Sequence, residues 1–591
     1  MSTQIYARTL RFCKISFTIV GSLYLIYPLK YALASDFTTF KNKKYLQQII
    51  PKNMEKYNEQ PLFETKHAYC GNESIWGNLI KEYVYALKKQ VLSSRDCIAE
   101  KEYKYYWRSV MRCLRMGVAL PRILGDYAWN YYIYLPILRK YYHVTNTDDI
   151  ESRIHDRNSK LLCQIVLKNE GIYVKTGQTI ANMPYLFPPE YINNLKPCLF
   201  STLESTFQEV QYILEKDMGK PLQDIFIEFD KKPIASASLG QVHRAKLRTG
   251  EEVAVKIQHR GLYETEPLDM AFVQIVFKFI SLVFPSFDYT WFAEEMSHNL
   301  PIELNFLNET ENMKICTEMI KPYSYLKVPE VYPRFCSHRI LTMSFEEGTQ
   351  IDKAMNDPSS LTTLSSAVPS LIHLYLDMVF KYHYIHADPH GGNILVRNNH
   401  GFTELVILDH GLYHHLNPSF LFLYSDFILS IANSDHDAIR SNFQNILKEG
   451  LRTHNTKKFQ KKFESLQFDD ELINLFVSVL TDRNIKGDIN TYSPQERFEL
   501  QKIIYSNLRS VAVYASLFPI DLGFLIKTFD CIRTILLPYG YTTLFYIDLF
   551  LECKRYKLLE SREHSLSSTI QNTLYSWLYW FEEILGDLFF N

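Results

Sequence analysis

No sign of charge dominates this 591-residue chain: 64 Lys and Arg stand against 65 Asp and Glu, a formal net charge of −1. A nucleic-acid binder needs a basic footprint, so no nucleic-acid partner is expected. The ten cysteines include no CxxC and no Cys/His cluster, which speaks against a zinc site and a disulfide framework. Glycine and proline are modest (21 and 24), and aromatics reach 14%, which excludes a disordered chain and leaves a packed, helix-rich one. A long membrane-spanning run is also missing. Ile15–Leu29 follows Arg8, Arg11 and Lys14, with no acidic residue before Asp36. That run has the length of a signal core and is short for a full span unless Lys30 reaches the interface. Ala32-Leu-Ala-Ser35 offers a cleavage site, so a secretory signal, a transit peptide and an anchor all stay open. The scattered cysteines favour mitochondrial delivery, with a single anchor in residues 1–35 at the inner membrane, over the endoplasmic reticulum or another membrane.

What is present centres on Tyr384-Ile-His-Ala-Asp-Pro-His-Gly-Gly-Asn-Ile-Leu-Val396 and Val406-Ile-Leu-Asp-His-Gly-Leu412. Asp388 stands five residues before Asn393, and Asp409 ends a second apolar run. An Asp and an Asn at that spacing, then an Asp at a strand end, is how protein kinases meet a phosphate acceptor and hold metal on nucleotide phosphates. Asn398-Asn-His-Gly401 reads as the turn of a hairpin between them.

Upstream, Val253, Val255 and Ile257 alternate as a strand should, and Lys256 sits among them in Val-Ala-Val-Lys, the string that carries the phosphate-side lysine of kinases. Where a phosphate-covering loop belongs there is no GxGxxG. Ala235-Ser-Ala-Ser238 stands there instead, and alanine permits close backbone approach without glycine's freedom at positive φ. A helical glutamate must pair with the strand lysine, and Glu303, Glu309 and Glu311 are the candidates. Lys327–Tyr332 and Arg339–Glu346 read as strands. The second leaves the small lobe as a hinge for an adenine, with Met343 and Phe345 as candidates. Arg153–Met183 is expected to be one helix, placing Lys175 and Gln178 on a common face. Arg108, Arg112 and Arg115 share a face of another helix and are expected to be solvated, although such a face also suits anionic lipid. Pro267–Phe287 reads as a buried helix and Leu361–His383 as a long apolar one. The C-terminal stripes, ending with Leu574–Phe590, are expected to pack on the large lobe.

Six strings in order, Lys175-Thr-Gly-Gln178, Ala235-Ser-Ala-Ser-Leu-Gly-Gln-Val242, Val253-Ala-Val-Lys256, Glu303-Leu-Asn-Phe306, His386-Ala-Asp-Pro-His-Gly-Gly-Asn393 and Leu408-Asp-His-Gly411, resemble the UbiB, or aarF-domain, atypical kinases, in their mitochondrial membrane-anchored branch. The resemblance implies an α+β, two-lobed kinase-like fold with an N-terminal helical extension and a large helical C-lobe. Along the chain this gives an anchor (1–35), a helical region (36–149), the KxGQ extension (150–222), an N-lobe with inserted helices (223–350) and a C-lobe (351–591). It implies that Lys256 contacts nucleotide phosphates and pairs with Glu309. It also makes Asp388 the catalytic-loop carboxylate and Asn393 and Asp409 the metal ligands. Ala235, Ser236, Ala237 and Ser238 cover the nucleotide, and Lys175 and Gln178 fold over the mouth toward Glu303.

Three features depart from the family pattern: Asn305 replaces an Asp, the alanine loop reads Ala235-Ser-Ala-Ser238, and Gly391 replaces a Pro. The implied cofactors are ATP and Mg. The implied partners are mitochondrial membrane lipids, with an isoprenoid-quinone or lipid substrate, in lipid or coenzyme Q homeostasis. Beyond Asp409 there is no Ala-Pro-Glu string, and His390 stands where ordinary kinases offer a lysine to the transferred phosphate. Both absences point away from routine protein phosphorylation and toward an ATPase or a small-molecule phosphotransferase. A nucleotide-gated lipid-binding or scaffold module is the alternative.

Overall fold

The computed structural model describes residues 103–560 apart from 145–146, 184–186, 200–203, 285–288, 355–366, 400–401, 455–462, 465–469, 482–513 and 515–516. The expected anchor in 1–35 and the stripe at 574–590 lie outside the described residues, as do 36–102. The chain divides into two compact units whose segments alternate in sequence. Residues to Ala181, Pro189–Ser201 and Gly261–Phe279 form one; Asn182–Pro188, Thr202–Arg260 and the residues from Ile280 onward form the other.

In the first unit α1 (Tyr103–Trp129) continues through a π turn at Asn130–Tyr134 into α2 (Leu135–Tyr141). It is followed by α3 (Asp148–Asn169), α4 (Gly171–Ala181) and α5 (Pro189–Leu199). Asp148, Asp149 and Glu151 in the first turn of α3 and Lys168 in its last suit the helix dipole. The single helix expected over Arg153–Met183 is two: Glu170 and Gly171 take φ of 61° and 53°, and this left-handed pair ends α3 before α4 begins. The solvated arginine face is also corrected. Arg112 is 5% exposed and donates to Asp269 (2.8 Å) and Thr265 (3.2 Å), while Arg115 donates to the Lys168 carbonyl at 3.3 Å. Only Arg108 of the three keeps an exposed side chain. A buried guanidinium needs such partners, and they lie more than 150 positions further on, beyond the reach of helical periodicity.

The second unit begins with α6 (Phe207–Met218), which a reciprocal Thr206/Glu209 box caps and Gly219, at φ 65°, terminates. After α7 (Leu222–Ile225) come β1 (Phe226–Phe229), β2 (Ala235–Ser236), β3 (Gly240–Leu247) and β4 (Glu252–Gln258). Next are α8 (Leu262–Val283), most of which belongs to the first unit, α9 (Thr290–Glu303), α10 (Phe306–Met319), β5 (Leu326–Lys327) and β6 (Ile340–Ser344). The first sheet runs β1-β3-β4-β6, with β2 on β3. Strand alternation sorts β4: Val253, Val255 and Ile257 are fully buried in a core with Val210, Ile213 and Leu214 of α6. Ala254, on the other face, joins Phe306 and Met313 of α10 in the main core. Lys256 shares the parity of Ala254, so the pleat alone turns it toward α10.

The large lobe follows with β7 (Thr349–Gln350), α11 (Ile351–Ala354), α12 (Val368–Phe380), β8 (Tyr384–His386), β9 (Ile394–Asn399), β10 (Phe402–Ile407) and β11 (Tyr413–His415). Then come α13 (Pro418–Ala432), α14 (His436–His454), α15 (Asp470–Thr481), α16 (Ile520–Leu536) and α17 (Thr542–Glu560). The hairpin expected between Asn393 and Asp409 is there, β9 pairing antiparallel with β10 from Ile394↔Ile407 to Asn399↔Phe402; residues 400–401 of its turn lie outside the described residues. Short β8 and β11 pair through Tyr413↔His386 and present the loops that follow and precede them. Of the expected strand Lys327–Tyr332, only its start is regular, β5 lying parallel to β10. The described part of the helix expected over Leu361–His383 is α12, which together with α13, α16 and α17 builds the main core. Among the described residues no helix is long and apolar enough to cross a membrane.

Candidate functional site

Lys256 reaches Glu309 with both carboxylate oxygens at 2.7 and 2.9 Å, and Asp409 Oδ1 at 3.4 Å. Glu309, and neither Glu303 nor Glu311, is the helical partner. It lies one turn into α10, whose N-cap is Asn305, its side chain accepting from the Leu307 N–H at 3.2 Å. Burial alone would lower the Lys256 ammonium, but the Asp409 and Glu309 carboxylates outweigh it and hold the lysine charged, above its ordinary range. Glu309 is 2% exposed, and burial pushes its carboxyl up against the pull of Lys256. Asp409 is different: at 41% exposed, it is the open side of the cluster.

The 3₁₀ turn Gly391–Asn393 brings the Asn393 amide within 3.3 Å of Asp409 Oδ2. A carboxylate and a carboxamide offer hard oxygen donors. That is the kind of set magnesium accepts when substrate phosphates and water complete its shell. Asp388 begins this loop, half-buried, with Lys527 Nζ 3.2 Å from its Oδ1.

Two histidines lock the loops. His386 Nε2–H donates to the Asp409 carbonyl at 2.6 Å, while its Nδ1 accepts from the Asp388 N–H at 3.2 Å. His410 Nε2–H donates to the Ile407 carbonyl at 3.0 Å, with the Tyr413 hydroxyl 2.9 Å from Nδ1. The His386 ring therefore needs one protonated and one bare nitrogen, and the His410 contacts suit the same neutral form. Burial agrees: it lowers His386, and it lowers His410 to about 3. Asn312 of α10 ties the lobes, donating to the His410 carbonyl at 2.8 Å and accepting from the Tyr384 hydroxyl at 2.6 Å.

In the alanine loop Ala235 and Ala237 are exposed, Ser236 is half-buried and Ser238 is buried. The loop is held by the Ala237 N–H donating to the Gly240 carbonyl at 2.8 Å, and by His259 Nε2 at 2.8 Å from the Ala237 carbonyl. Gly240 is the position where only glycine fits, because a Cβ there would lie 2.6 Å from the Ile257 carbonyl oxygen. At the hinge, Met343 is buried in the main core. The Phe345 N–H donates to the Glu252 carbonyl at 3.1 Å, and the Arg244 guanidinium lies 4.5 Å over its ring. Glu346, which the sequence reading passed over, pins this crossing: its 4%-exposed carboxylate takes Lys327 at 3.1 Å and Arg397 at 2.6 Å.

Lys175 and Gln178 lie on α4 of the first unit, where Gln178 Nε2 donates to the Cys198 carbonyl at 2.9 Å. Gly177 between them is a packing glycine, since a Cβ would meet Cys198 Sγ at 2.9 Å and Val166 Cγ1 at 3.0 Å. Glu303 ends α9 in the second unit.

Residues 200–443, which hold Lys256, Glu309, Asp388, Asn393 and Asp409, match the ABC1 atypical kinase-like domain. AarF domain-containing protein kinase 1 of Gallus gallus is 32% identical over 427 residues, covering 71% of this chain and 78% of that protein. The chain belongs to the ABC1/AarF atypical kinase-like family. The ABC1 family protein MCP2 of Saccharomyces cerevisiae is similarly 32% identical over 430 residues, 68% of this chain and 71% of that one. Among solved structures, the Rv3197–erythromycin complex from Mycobacterium tuberculosis aligns over 63% of this chain and 95% of that chain at 18% identity, with a TM-score of 0.36. The departures at Asn305 and Gly391 have local explanations. Asn305 caps α10 as an Asp would, without the charge. At Gly391 a Cβ would fall 2.0 Å from Asp352 Oδ1, so the space a proline ring would need is filled by the Asp352 carboxylate.

Proposed function

We propose that this ABC1 protein binds ATP with magnesium between the alanine loop and the Asp388–Asp409 loops. There it hydrolyses ATP or passes the γ-phosphoryl to a small or lipid-linked acceptor. The observation that carries this reading is Lys256 held between buried Glu309 and open Asp409, with the Asn393 amide at Asp409's other oxygen. Lys256 would neutralise the α/β-phosphates, while Asp409 and Asn393 would hold magnesium, which supplies charge neutralisation at the phosphate oxygens. Asp388 takes the acceptor proton. The bond between the γ-phosphorus and its bridging oxygen breaks and ADP leaves with that electron pair. The acceptor oxygen forms the new P–O bond, and its proton passes to Asp388.

The absence of an Ala-Pro-Glu string favours a small acceptor over a peptide. The acid-free, basic N-terminus and the family resemblance favour work at a mitochondrial membrane, in lipid or coenzyme Q homeostasis, with an isoprenoid-quinone or a lipid as substrate. The family resemblance gives Lys175, Gln178, Glu303 and Asn305 regulatory roles. Met343, Phe345 and residues 235–238 line the nucleotide. The test is turnover by the purified full chain with Mg-ATP and liposomes. Hydrolysis abolished by Asp409→Asn without a phosphorylated product makes the protein an ATPase. A labelled lipid makes it a phosphotransferase. Nucleotide binding without either would replace this reading with a nucleotide-gated lipid-binding module.

A further inference from the structure

The catalytic loop carries no cation of its own. Two residues after Asp388 stands His390, and its ring is engaged within the loop, Nδ1 accepting from the Gly392 N–H at 3.1 Å. A positive charge is nonetheless at the Asp388 carboxylate, and it comes from far along the chain: Lys527 Nζ lies 3.2 Å from Asp388 Oδ1. We infer that Lys527 of α16 is the cation that contacts the transferring phosphoryl group, a catalytic role supplied in trans to the loop by a C-terminal helix. This rests on the reading of the site as an ATP site.

The lysine is not a loose surface charge, because the helix around it is fixed to the catalytic strands at three points. Thr528, fully buried, lies with Oγ1 3.4 Å from the His386 carbonyl oxygen and donates toward it. Phe524 packs with Ala387 and Leu412, the residues flanking the two loops, and its ring stacks on His414 with centroids 4.1 Å apart. Asp521 takes His414 Nε2 at 2.6 Å. Asp521, Phe524 and Lys527 recur every three residues, so one helical face delivers all three to β11 and to the Ala387–Asp388 loop that follows β8. The stem of Lys527 is held while its side chain stays 34% exposed, beside an Asp388 side chain that is 40% exposed. Glu295 of α9 also feels this charge: burial raises its carboxyl and Lys527 draws it down. The ammonium lies at the Asp388 carboxylate, on a four-carbon tether whose three donors can turn from Asp388 to an incoming phosphate oxygen. Without a phosphate, the Asp388 contact parks the lysine at the site of chemistry.

The experiment compares AMP-PNP with ADP, both with magnesium, on the full chain, and adds ATP turnover. Lys527→Gln is expected to weaken AMP-PNP about tenfold or more while leaving ADP unchanged, because a charged hydrogen bond is lost only where a γ-phosphate exists. The same variant should lower kcat about 10²-fold, with Lys527→Arg recovering part of both. The side chain is partly exposed, and an unchanged Tm shows that the variant folds. Lys527→Gln with wild-type AMP-PNP to ADP preference and wild-type kcat overturns the assignment. An equal loss for both nucleotides overturns it as well, since that marks a structural role. Lys256→Ala separates the two readings: if it abolishes nucleotide binding while Lys527→Gln changes nothing, only the Lys527 assignment falls. A wild-type chain that binds neither nucleotide removes both.

Discussion

Two ion pairs sit on neighbouring strands of the small-lobe sheet, and they are built for opposite ends. Arg339, at the start of β6, grips Asp217 of α6 with both arms of its guanidinium, and the Ser337 hydroxyl donates to the same carboxylate at 2.7 Å. Both side chains are under a tenth exposed (8% and 6%), and no edge of the pair is left for a ligand. Lys256 and Glu309, on β4 and α10, are buried on the glutamate side only, because the lysine also leans on half-open Asp409. A forked, planar guanidinium is matched to one carboxylate, whereas an ammonium is a point charge that can be shared. The closed pair fastens a helix to the sheet. The open pair leaves its charge within reach of solvent through Asp409.

That contrast can be broken most heavily at the closed pair. Asp217→Ala leaves the Arg339 guanidinium buried without its partner, and should cost about 3–5 kcal/mol of stability in denaturant unfolding while leaving the nucleotide affinity of the folded fraction unchanged. Glu309→Gln should do the reverse. Turnover should fall about 10²-fold, or about 2.7 kcal/mol in the barrier, yet Tm should hold or rise, since burial already opposes the charged carboxyl. A drop in Tm comparable to that of Asp217→Ala would erase the distinction.

Acid sharpens it further. Burial would raise Asp217, but the Arg339 and Ser337 hydrogen bonds win and hold its carboxyl below the ordinary value. Its contribution is therefore complete above about pH 4 and is lost as pH falls through the depressed folded value. Melting curves between pH 6 and pH 3 should show this loss, and Asp217→Asn should flatten that part of the profile. The smallest effect belongs to the exposed pair Arg244–Glu252 on the same sheet, with side chains 41% and 51% exposed. Arg244→Ala should leave Tm within error, and a clear shift would assign weight to the Arg244–Phe345 stacking instead.

The parts of the site legible in the sequence are those set by short-range spacing. Lys256 follows from strand alternation, and Asp388, Asn393 and Asp409 from two short strings; the structure brings Lys256 and Asn393 to Asp409, and His386 links the Asp388 backbone to the Asp409 carbonyl. Glu309 needed more than spacing, since three glutamates fell within reach of the argument and only the turn of α10 past its Asn305 cap selects one. What stayed hidden depends on partners far apart in the chain. Asn312 meets His410 across 98 positions, Thr528 meets His386 across 142, and Arg112 meets Asp269 across 157. For the last of these, a face reading cannot tell a solvated arginine from one neutralised in a core. The helix break was hidden for a local reason: nothing in Asn169-Glu170-Gly171 forbids helix outright, yet Glu170 and Gly171 both take positive φ.

The match to the ABC1 domain ends at residue 443, whereas the helix that holds the back of the catalytic loop begins at Ile520. A protein trimmed to the matched stretch would keep Lys256, Glu309, Asp388, Asn393 and Asp409, lose Lys175 and Gln178, and still expose Ala387, Leu412 and the His386 carbonyl to water. Any boundary drawn for expression, for comparison among relatives or for grafting this lobe elsewhere therefore has to run past Leu536. The minimal working piece is longer than the part by which its kin are recognised.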